Sequence, residues 1–323
     1  MDALRERLNR GALFVGCVRA CACAAVLASC GGARTTAPPA RTDDVASTNV
    51  ANGIAVGALV RREPLRVGVR AHRTSENDVA IEGKDEWGVR TALISGLAQE
   101  VRVEDVLSVV RNETAKLHVT YEKSTTIVMA PADQKGVYAS AVDGKSYVVE
   151  RTSGGAQVRV TDDRGERPGG PELETVARDY ADLGHTNPVN AAVPEKPMRQ
   201  GDRVPTLAVA IRERLEERRT AKVDALEVTV GAVRVVDGAR CIVFELTGRT
   251  TLAMHASVVF DLRGEYVVRL DDGWETKFEL VGTPASDVAT RLSDQKPITI
   301  DRAKTRFRFT YTVTYADAPP TSR

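Results

Sequence analysis

The feature that most constrains the fold is a strict alternation of residue types near the end of the chain. From Arg306 to Tyr315, apolar or aromatic side chains occupy every second position, and arginine or threonine occupies the positions between them. Successive side chains of a β-strand point to opposite faces of its sheet, so this segment can bury one face and leave the other in water. The pattern is typical of an antiparallel sheet with solvent behind it.

The same period-two pattern recurs along most of the chain after residue 54. Shorter alternating segments lie around 65–69, 117–121, 226–235, 242–246, 258–262, 266–270 and 274–280. Turn sequences such as Asp143-Gly144 and Gly154-Gly155 separate some of them, as in β-hairpins. The segment from Trp87 to Glu104 fits either a helical face or a strand. The chain is therefore predicted to be mainly β, with curved antiparallel sheets.

Two segments have helical spacing of their apolar residues. In Glu172–Leu183 the apolar side chains recur every three or four positions, and Gly184 follows as a stop signal. In Thr206–Thr220 they do the same, and Pro205 precedes the first turn. We therefore predict an α+β protein with two or three helices interspersed among its strands.

The two β-rich parts that flank the helical segment resemble each other weakly. The stretch from Val109 to Glu122 is similar to the stretch from Val235 to Glu245. We predict a signal peptide at 1–29, a flexible tether at 30–53, an N-terminal β-rich half at 54–204, and a helix with the C-terminal β half at 205–323. Whether the halves arose by duplication is left open, because valine-rich strands often match by chance.

The start of the chain has the anatomy of a secretory signal. A basic stretch ending at Arg10 precedes an apolar run from Gly11 to Ser29, which only Arg19 interrupts, and small residues lie directly before Cys30. Such a run is too short and too interrupted to span a bilayer permanently. We therefore expect the segment before Cys30 to be removed during export.

The residues Leu27-Ala28-Ser29-Cys30 resemble the lipobox of bacterial lipoproteins. The resemblance implies that the Cys30 thiol receives a diacylglyceryl group and becomes the acylated first residue of the mature chain. Two or more acyl chains anchor a protein stably to a membrane. By the same resemblance, Gly31 at the next position implies the outer membrane. The alternative is an ordinary secretory cleavage next to an incidental cysteine.

Composition limits the chemistry of the mature chain. After residues 1–29 are removed, 41 basic and 42 acidic side chains remain, so nothing in the charge favours a nucleic-acid partner. Cys30 is taken by lipid and Cys241 then stands alone, which excludes an intramolecular disulfide and a multi-cysteine metal site. Because Cys241 lies in the strand-like Ile242-Val243-Phe244 context, we interpret it as a buried core residue.

Two motif matches are interpreted as loops. Ala139 to Ser146 fits a relaxed phosphate-loop pattern, but the strand-like Tyr147-Val148-Val149 follows where a nucleotide site needs a helix, so we predict a hairpin turn and no nucleotide. Ser293 and Lys296 have the Ser-x-x-Lys spacing of acyl-transferring hydrolases. Pro297 biases Lys296 away from a helix, so a surface loop is predicted.

The histidines give no metal site. Four are present, with no partner at metal-ligand spacing: His72, His118, His185 and His255. His118 lies opposite the apolar set of its strand and is expected to be exposed. Asp182 and His185 flank Gly184 in the most irregular part of the chain, where they form either a base or ligand site or a polar contact at a helix end.

The whole pattern resembles uncharacterised bacterial envelope lipoproteins. The resemblance rests on the lipobox, the low-complexity tether, the β-meander with helices between its halves, and the turn from Glu195 to Asp202. The architecture is also similar to the half-barrel lipoprotein carriers of the LolA and LppX type. No functional residue except Cys30 is implied by this likeness.

We therefore predict a lipid-anchored, extracytoplasmic protein of the cell envelope that binds or scaffolds, without enzymatic activity and without a cofactor. Its expected partners are the membrane and a lipid or an envelope protein. The sharpest version is a hydrophobic ligand in a large apolar cavity lined by Phe307, Phe309 and Tyr311. The alternatives are a protein–protein surface module with an exposed apolar patch, or an envelope hydrolase in which Asp182 and His185 converge with other titratable groups.

Overall fold

A computed structural model describes residues 58–317, apart from 64, 85, 130–134, 153–156, 186, 217–220, 254–255 and 292–295. The predicted signal peptide, the tether and Cys30 lie outside the described residues. So do His255, Ser293 and the predicted Gly154-Gly155 turn. The described part is mostly β, as predicted, with one large antiparallel sheet and three helices.

The sheet contains thirteen strands within the described ranges. They are β1 (Val69–Lys84), β2 (Arg90–Val110), β3 (Glu113–Met129), β4 (Lys135–Ala139), β5 (Ser146–Arg151), β6 (Val158–Asp162), β7 (Ala221–Val236), β8 (Ala239–Ala253), β9 (Ala256–Arg269), β10 (Glu275–Pro284), β11 (Val288–Arg291), β12 (Pro297–Ile300) and β13 (Arg306–Asp317). The helices are α1 (Gly170–Asp179), α2 (Pro188–Ala192) and α3 (Pro205–Glu216).

The last strand closes the sheet against the first. β1 lies between β13 and β2, and its register with β13 runs from Val69 opposite Asp317 to Ala80 opposite Arg306. The two predicted halves therefore share one continuous sheet. Register shifts mark bulges in the β1–β2, β2–β3 and β7–β8 pairs, and bulges bend the strands that contain them. The ambiguous segment after Trp87 is a strand from Arg90 onward.

Both predicted helices are confirmed, with different ends. α1 ends at Asp179, earlier than predicted, because the chain turns through Ala181 to Gly184, where Gly184 has a φ of 81°. α3 begins at Pro205 and is described as far as Glu216. The short helix α2 was not predicted. Its N-cap is Asn187, whose side chain accepts a hydrogen bond from the backbone N–H of Val189.

One face of the sheet is buried and the other carries charges, as the alternation in β13 predicted. The larger core packs α2 and α3 against β7 to β10 and β13, and a smaller core packs α1 against β2, β3, β5 and β6. On the opposite face, ion pairs join neighbouring strands, such as Arg306 with Asp78 at 2.6 Å and Arg308 with Glu279 at 2.9 Å. Cys241 is fully buried, as predicted.

The cavity predicted at Phe307, Phe309 and Tyr311 is not formed at those residues. Their exposed fractions are 9%, 3% and 1%, and all three belong to the larger core. The Phe309 ring lies 5.8 Å from that of Phe278 on the neighbouring strand. These side chains fill the face of the sheet themselves, so this part of the hydrophobic-ligand prediction is wrong.

Candidate ligand-binding cleft

A cleft of about 330 Å³ opens at one end of the sheet. Four segments border it: 62–65 before β1, 112–114 at the β2–β3 turn, the α1–α2 connection at 179–190, and 272–274 at the β9–β10 turn. Arg73 of β1 and Glu104 of β2 also line it, from the buried face of the sheet. The cleft therefore collects residues that are far apart in the sequence.

The segment that leads into the first strand forms one wall of the cleft. The backbone N–H of Arg61 donates to the carbonyl of Leu270, and that of Glu63 donates to the carbonyl of Asp272, both at 2.9 Å. The indole N–H of Trp274 donates to the carbonyl of Glu63 at 2.9 Å. Gly273 has a φ of 75°, and a Cβ there would lie 2.7 Å from the Arg61 carbonyl oxygen. This turn therefore requires glycine to hold the wall.

Arg62 fastens this wall to the end of α2. Its guanidinium donates to the carbonyl of Ala191 at 2.8 Å and to that of Val193, and it pairs with Glu195 at 2.8 Å. Arg62 also lines a second cleft of about 560 Å³, which residues 191–196 and 203–206 border. Arg62 is therefore common to both clefts.

The floor of the first cleft is an ion pair buried in the sheet. Arg73 is 1% exposed and Glu104 is 0% exposed, and the Arg73 Nε lies 2.8 Å from the Glu104 Oε2. The Tyr180 hydroxyl donates to Glu104 Oε1 at 2.6 Å, and the Arg73 guanidinium donates to the Tyr311 hydroxyl. A buried ion pair is costly to break, because removing either partner leaves an uncompensated charge.

A second buried arginine extends the floor beneath α1. Arg102 Nε lies 3.0 Å from Glu100 Oε1, and Arg102 Nη1 lies 3.7 Å from Asp179 Oδ2. The guanidinium also lies over the rings of Tyr180 and Tyr121, at 5.4 and 5.7 Å from their centroids. Burial lowers the Arg102 pKa, but the carboxylates and tyrosines around it raise it above its usual value, so Arg102 stays charged.

Glu275 joins this floor to α2. It is 0% exposed, and burial raises the pKa of its carboxyl to about 8, although Arg73 at 4.0 Å lowers it. The Tyr266 hydroxyl is 3.3 Å from Glu275 Oε2 and also hydrogen-bonds the amide oxygen of Asn190, which borders the cleft. At neutral pH, Glu275 is therefore mostly protonated.

The amide nitrogen of Asn187, which lines the cleft, is buried and has no hydrogen-bond partner within the described part of the chain. Glu104 Oε2, by contrast, has the Arg73 Nε as its partner at 2.8 Å. Asn187 is 8% exposed, and its amide oxygen is engaged by Val189 at 2.9 Å. A buried polar group without a hydrogen bond costs about 1–3 kcal/mol. Such groups occur where a site holds a ligand or ordered water.

The structure brings Asp182 and His185 together at the rim of this cleft. The backbone N–H of His185 donates to the carbonyl of Asp182 at 2.9 Å, and the Asp182 carboxylate lies 3.7 Å from Arg214 of α3. The other two described histidines lie on the charged face of the sheet. There, His118 lies 3.0 Å from Asp163. Within the described ranges, no group of three or more His, Cys, Asp or Glu side chains could hold a metal ion.

The two motif matches have the predicted loop structures where they are described. Residues 141–144 form the turn before β5, and Gly144 has a φ of 71°. Lys145 pairs with Glu172 at 2.7 Å. Of the Ser-x-x-Lys match, Lys296 is described and pairs with Glu86 at 2.8 Å, directly before β12. The predicted turn at Asp143-Gly144 is therefore confirmed, but it is not a hairpin turn, because in the described sheet β4 and β5 both pair with β3 and not with each other.

Sequence reasoning missed the residues of the cleft floor. The available signal was at Arg73, which continues the alternating positions of Leu65, Val67 and Val69 with a charged residue. Arg102 lies opposite Arg73 in the β1–β2 pair and is also buried. Charged residues at inward strand positions mark buried networks. The identity of their partners depends on the pairing of distant strands.

Comparisons with known proteins give no family. No family model matches the chain, and no curated protein matches it. Among solved structures, a lipovitellin structure described for its lipid–protein interactions has a TM-score of 0.32 and 8% identity, and the match covers 80% of this chain and 26% of that one. The chain thus spans about a quarter of the lipovitellin chain.

Two further solved structures are more distant. DynF, from the dynemicin biosynthesis pathway of Micromonospora chersina, has a TM-score of 0.20 and 8% identity over 84% of this chain and 88% of that one. An outer membrane channel from Pseudomonas putida F1 has a TM-score of 0.18 and 10% identity over 79% of this chain and 97% of that one. Scores this low carry no functional argument. Among the described residues, no helix is long and apolar enough to cross a membrane.

Proposed function

We propose that this chain is a lipid-anchored protein of the bacterial outer membrane whose β-rich body binds a small polar ligand in the first cleft, without catalysing a reaction. The observation that carries the ligand proposal is the buried amide nitrogen of Asn187 at the cleft, which makes no hydrogen bond within the described chain. A ligand that supplies this bond recovers its desolvation cost.

The state of the carboxylates favours binding over catalysis. Each carboxylate that borders the cleft has an arginine within 3.7 Å, for example Glu113 with Arg151 at 2.5 Å and Asp272 with Arg269 at 2.9 Å. A general base must be free to take a proton from its substrate. The convergence of Asp182 and His185 therefore supplies ligand contacts in this proposal and no hydrolytic site.

The anchor proposal rests on the lipobox ending at Cys30. Cells expressing the wild-type chain and Cys30→Ala are labelled with radioactive palmitate, with and without globomycin. We expect label on the wild-type protein, none on Cys30→Ala, and accumulation of the precursor with globomycin. Equal labelling of the two chains, or maturation that globomycin leaves unchanged, would remove the anchor from the account.

The cleft proposal is tested by removing any bound ligand from the protein. We expect protein purified from its own envelope to melt at a higher temperature than the same protein after unfolding, dialysis and refolding, because a retained ligand stabilises the folded state. In Asn187→Ser, which keeps a capping hydroxyl but loses the amide nitrogen, that difference should shrink. Val235→Thr, on the distant strand β7, is the matched control. Identical melting of native and refolded wild-type protein contradicts the proposal.

A hydrophobic ligand has a different candidate position. The second cleft is lined largely by apolar side chains, including Val193, Pro194 and Val204. A bound acyl chain would therefore be expected in this second cleft. Its binding should be unchanged in Asn187→Ser and abolished in Val193→Asp.

A protein–protein module is the remaining candidate, and β7 favours it. Val233 and Val235 point to the same side of this strand and are 44% and 69% exposed. β7 pairs only with β8 among the described strands, so part of its edge is open to another chain. If the protein forms a specific crosslink to a partner protein, loss of that crosslink in Val235→Asp, with the cleft intact, would support this candidate.

A further inference from the structure

The hairpin that joins β1 to β2 lies at the end of the sheet opposite the first cleft. β1 begins just after the segment 62–65 that borders the cleft, and its 16 residues carry the chain about 50 Å away, to Lys84. The pairing of β2 with β3 starts at Gly96, so the hairpin extends about 15–20 Å past Met129, the described end of β3. Residues 84–90 are therefore a projecting tip, the β1–β2 tip.

Large apolar side chains of this end of the sheet are exposed. At the β1–β2 tip, Trp87 is 73% exposed and Val89 is 59% exposed. Val288 of β11 is 57% exposed, and it lies in register with Thr299 of β12, which is in turn in register with Lys84 of β1. Three exposed apolar side chains thus lie at the same end of the sheet, on neighbouring strands and their turn.

A lysine lies over the ring of Trp87. Lys296 Nζ is 5.1 Å from the ring centroid and pairs with Glu86 at 2.8 Å, and Lys84 is exposed at the same end. An indole ring with an ammonium beside it suits the interface of a membrane, where the ring enters the apolar side and the polar groups stay with the headgroups. The sequence from 84 to 90 contains two basic and two acidic residues, so the contact does not need an anionic surface.

The size of the exposed apolar surface favours a bilayer over a protein partner. A buried aromatic side chain covers about 150–250 Å², and two valines add less. A stable protein–protein interface needs about 800 Å² on each partner. A membrane contact needs much less, because a lipid anchor already holds the chain at the bilayer and makes the second contact intramolecular.

The predicted tether is long enough to permit both contacts. Cys30 and Ala58 are 28 positions apart in the sequence, and a chain of that length reaches at most about 90–100 Å. This reach exceeds the length of β1, which is about 50 Å. An anchor on Cys30 therefore permits the β1–β2 tip to meet the same bilayer.

We propose that the β1–β2 tip is a second membrane contact, in which Trp87 and Val89 enter the headgroup region of the bilayer and Lys84 and Lys296 reach its phosphates. Because the first cleft lies at the other end of the sheet, this contact turns the cleft away from the bilayer and toward water. The inference rests on the proposed function, since the lipid anchor brings the tip to the membrane.

The two tryptophans of the chain report on opposite ends of the sheet. The full lipid-anchored protein is reconstituted into phosphatidylcholine vesicles, with or without phosphatidylcholine that is brominated on its acyl chains and quenches tryptophan on contact. Trp274→Phe leaves Trp87 as the single tryptophan, and Trp87→Phe leaves Trp274 as the matched control. We expect brominated lipid to reduce the Trp87 emission at least about twofold and to leave that of Trp274 unchanged, in low and high salt alike. The difference between wild type and Trp87→Phe gives the Trp87 signal with Trp274 in place.

A charge at the tip should weaken the contact. In the Trp274→Phe background, Val89→Asp should restore at least about half of the Trp87 emission that brominated lipid removes, because a carboxylate is costly to bring into the apolar side of the interface. Val235→Asp changes a valine of β7 that is 69% exposed and should leave the quenching as it was. Equal effects of the two substitutions would count against a contact at the tip.

Vesicle flotation separates the failure of this inference from the failure of the anchor. If wild type floats with the vesicles and Cys30→Ala does not, but Trp87 is quenched no more than Trp274, only this inference fails. Protection of Trp87 from acrylamide without quenching by brominated lipid also overturns it, because a second copy of the chain then covers the tip. If wild type and Cys30→Ala both stay with the unbound protein, the anchor fails and this inference fails with it.

Discussion

Replacing Glu275 by glutamine should change how the stability of the protein depends on pH. Glu275 is fully buried beside Tyr266 and Arg73, and burial raises the pKa of its carboxyl from 4.5 to about 8. Glutamine has the shape of the protonated acid, and its amide oxygen can still accept from the Tyr266 hydroxyl. The substitution therefore removes the titration with little change in packing.

The sign and size of the effect follow from linkage. The folded protein holds the Glu275 proton up to about pH 8, whereas the unfolded chain releases it near pH 4.5. The stability that this proton contributes is thus complete below about pH 4.5 and is lost as the pH rises to 8. Each pH unit in this window costs about 1.4 kcal/mol, so the total is on the order of 5 kcal/mol.

Urea unfolding at pH 5, 6, 7, 8 and 9, monitored by tryptophan fluorescence, measures this dependence. The free energy of unfolding of Glu275→Gln relative to wild type should rise by about 1.4 kcal/mol per unit up to pH 8 and then level off. Glu265→Gln is the control. Burial raises the pKa of Glu265, but the bonds from Arg234 and Lys277 leave it below its usual value. Its effect should therefore appear only at acidic pH. Parallel curves for wild type and Glu275→Gln between pH 5 and 8 would refute the reasoning.

Two further substitutions test the packing of the sheet and its buried charges. Gly264→Ala should lower the free energy of unfolding by at least about 1–3 kcal/mol, because a Cβ there would lie 2.1 Å from the backbone oxygen of Glu279. An unchanged melting temperature in calorimetry would contradict this close approach. Arg73→Met should cost about 3–5 kcal/mol in urea unfolding by leaving Glu104 uncompensated. Arg70→Met, which breaks a pair on the solvated face, should cost less than about 1 kcal/mol, and equal costs would contradict the assignment of the two faces.

The parts of the fold that could be predicted from the sequence are those that depend on residues close together in the chain. The alternation from Arg306 to Tyr315 and the two helical spacings are properties of short segments, and the structure confirms them. The pairing of β13 with β1 joins residues more than 200 positions apart. Because strand alternation does not specify the partner, a single sheet could not be distinguished from two separate halves.

The cleft was only partly predictable for the same reason. Asp182 and His185 were singled out because they flank Gly184, and both lie at its rim. The floor residue Arg73 lies beyond the alternating segment predicted at 65–69, and Glu104 ends the segment that fitted either a helix or a strand. Their proximity depends on β1–β2 pairing, and the expectation that the inward face is uniformly apolar hid them.

Native mass spectrometry of the protein purified from its own envelope tests the central claim most directly. We predict a wild-type mass that exceeds the mature polypeptide by the acyl groups on Cys30 and by one small polar molecule. In Asn187→Ser the acyl groups should remain and the small molecule should be lost or reduced. A polypeptide without acyl groups would contradict the anchor. A bound species that is absent, or that Asn187→Ser leaves unchanged, would contradict the cleft.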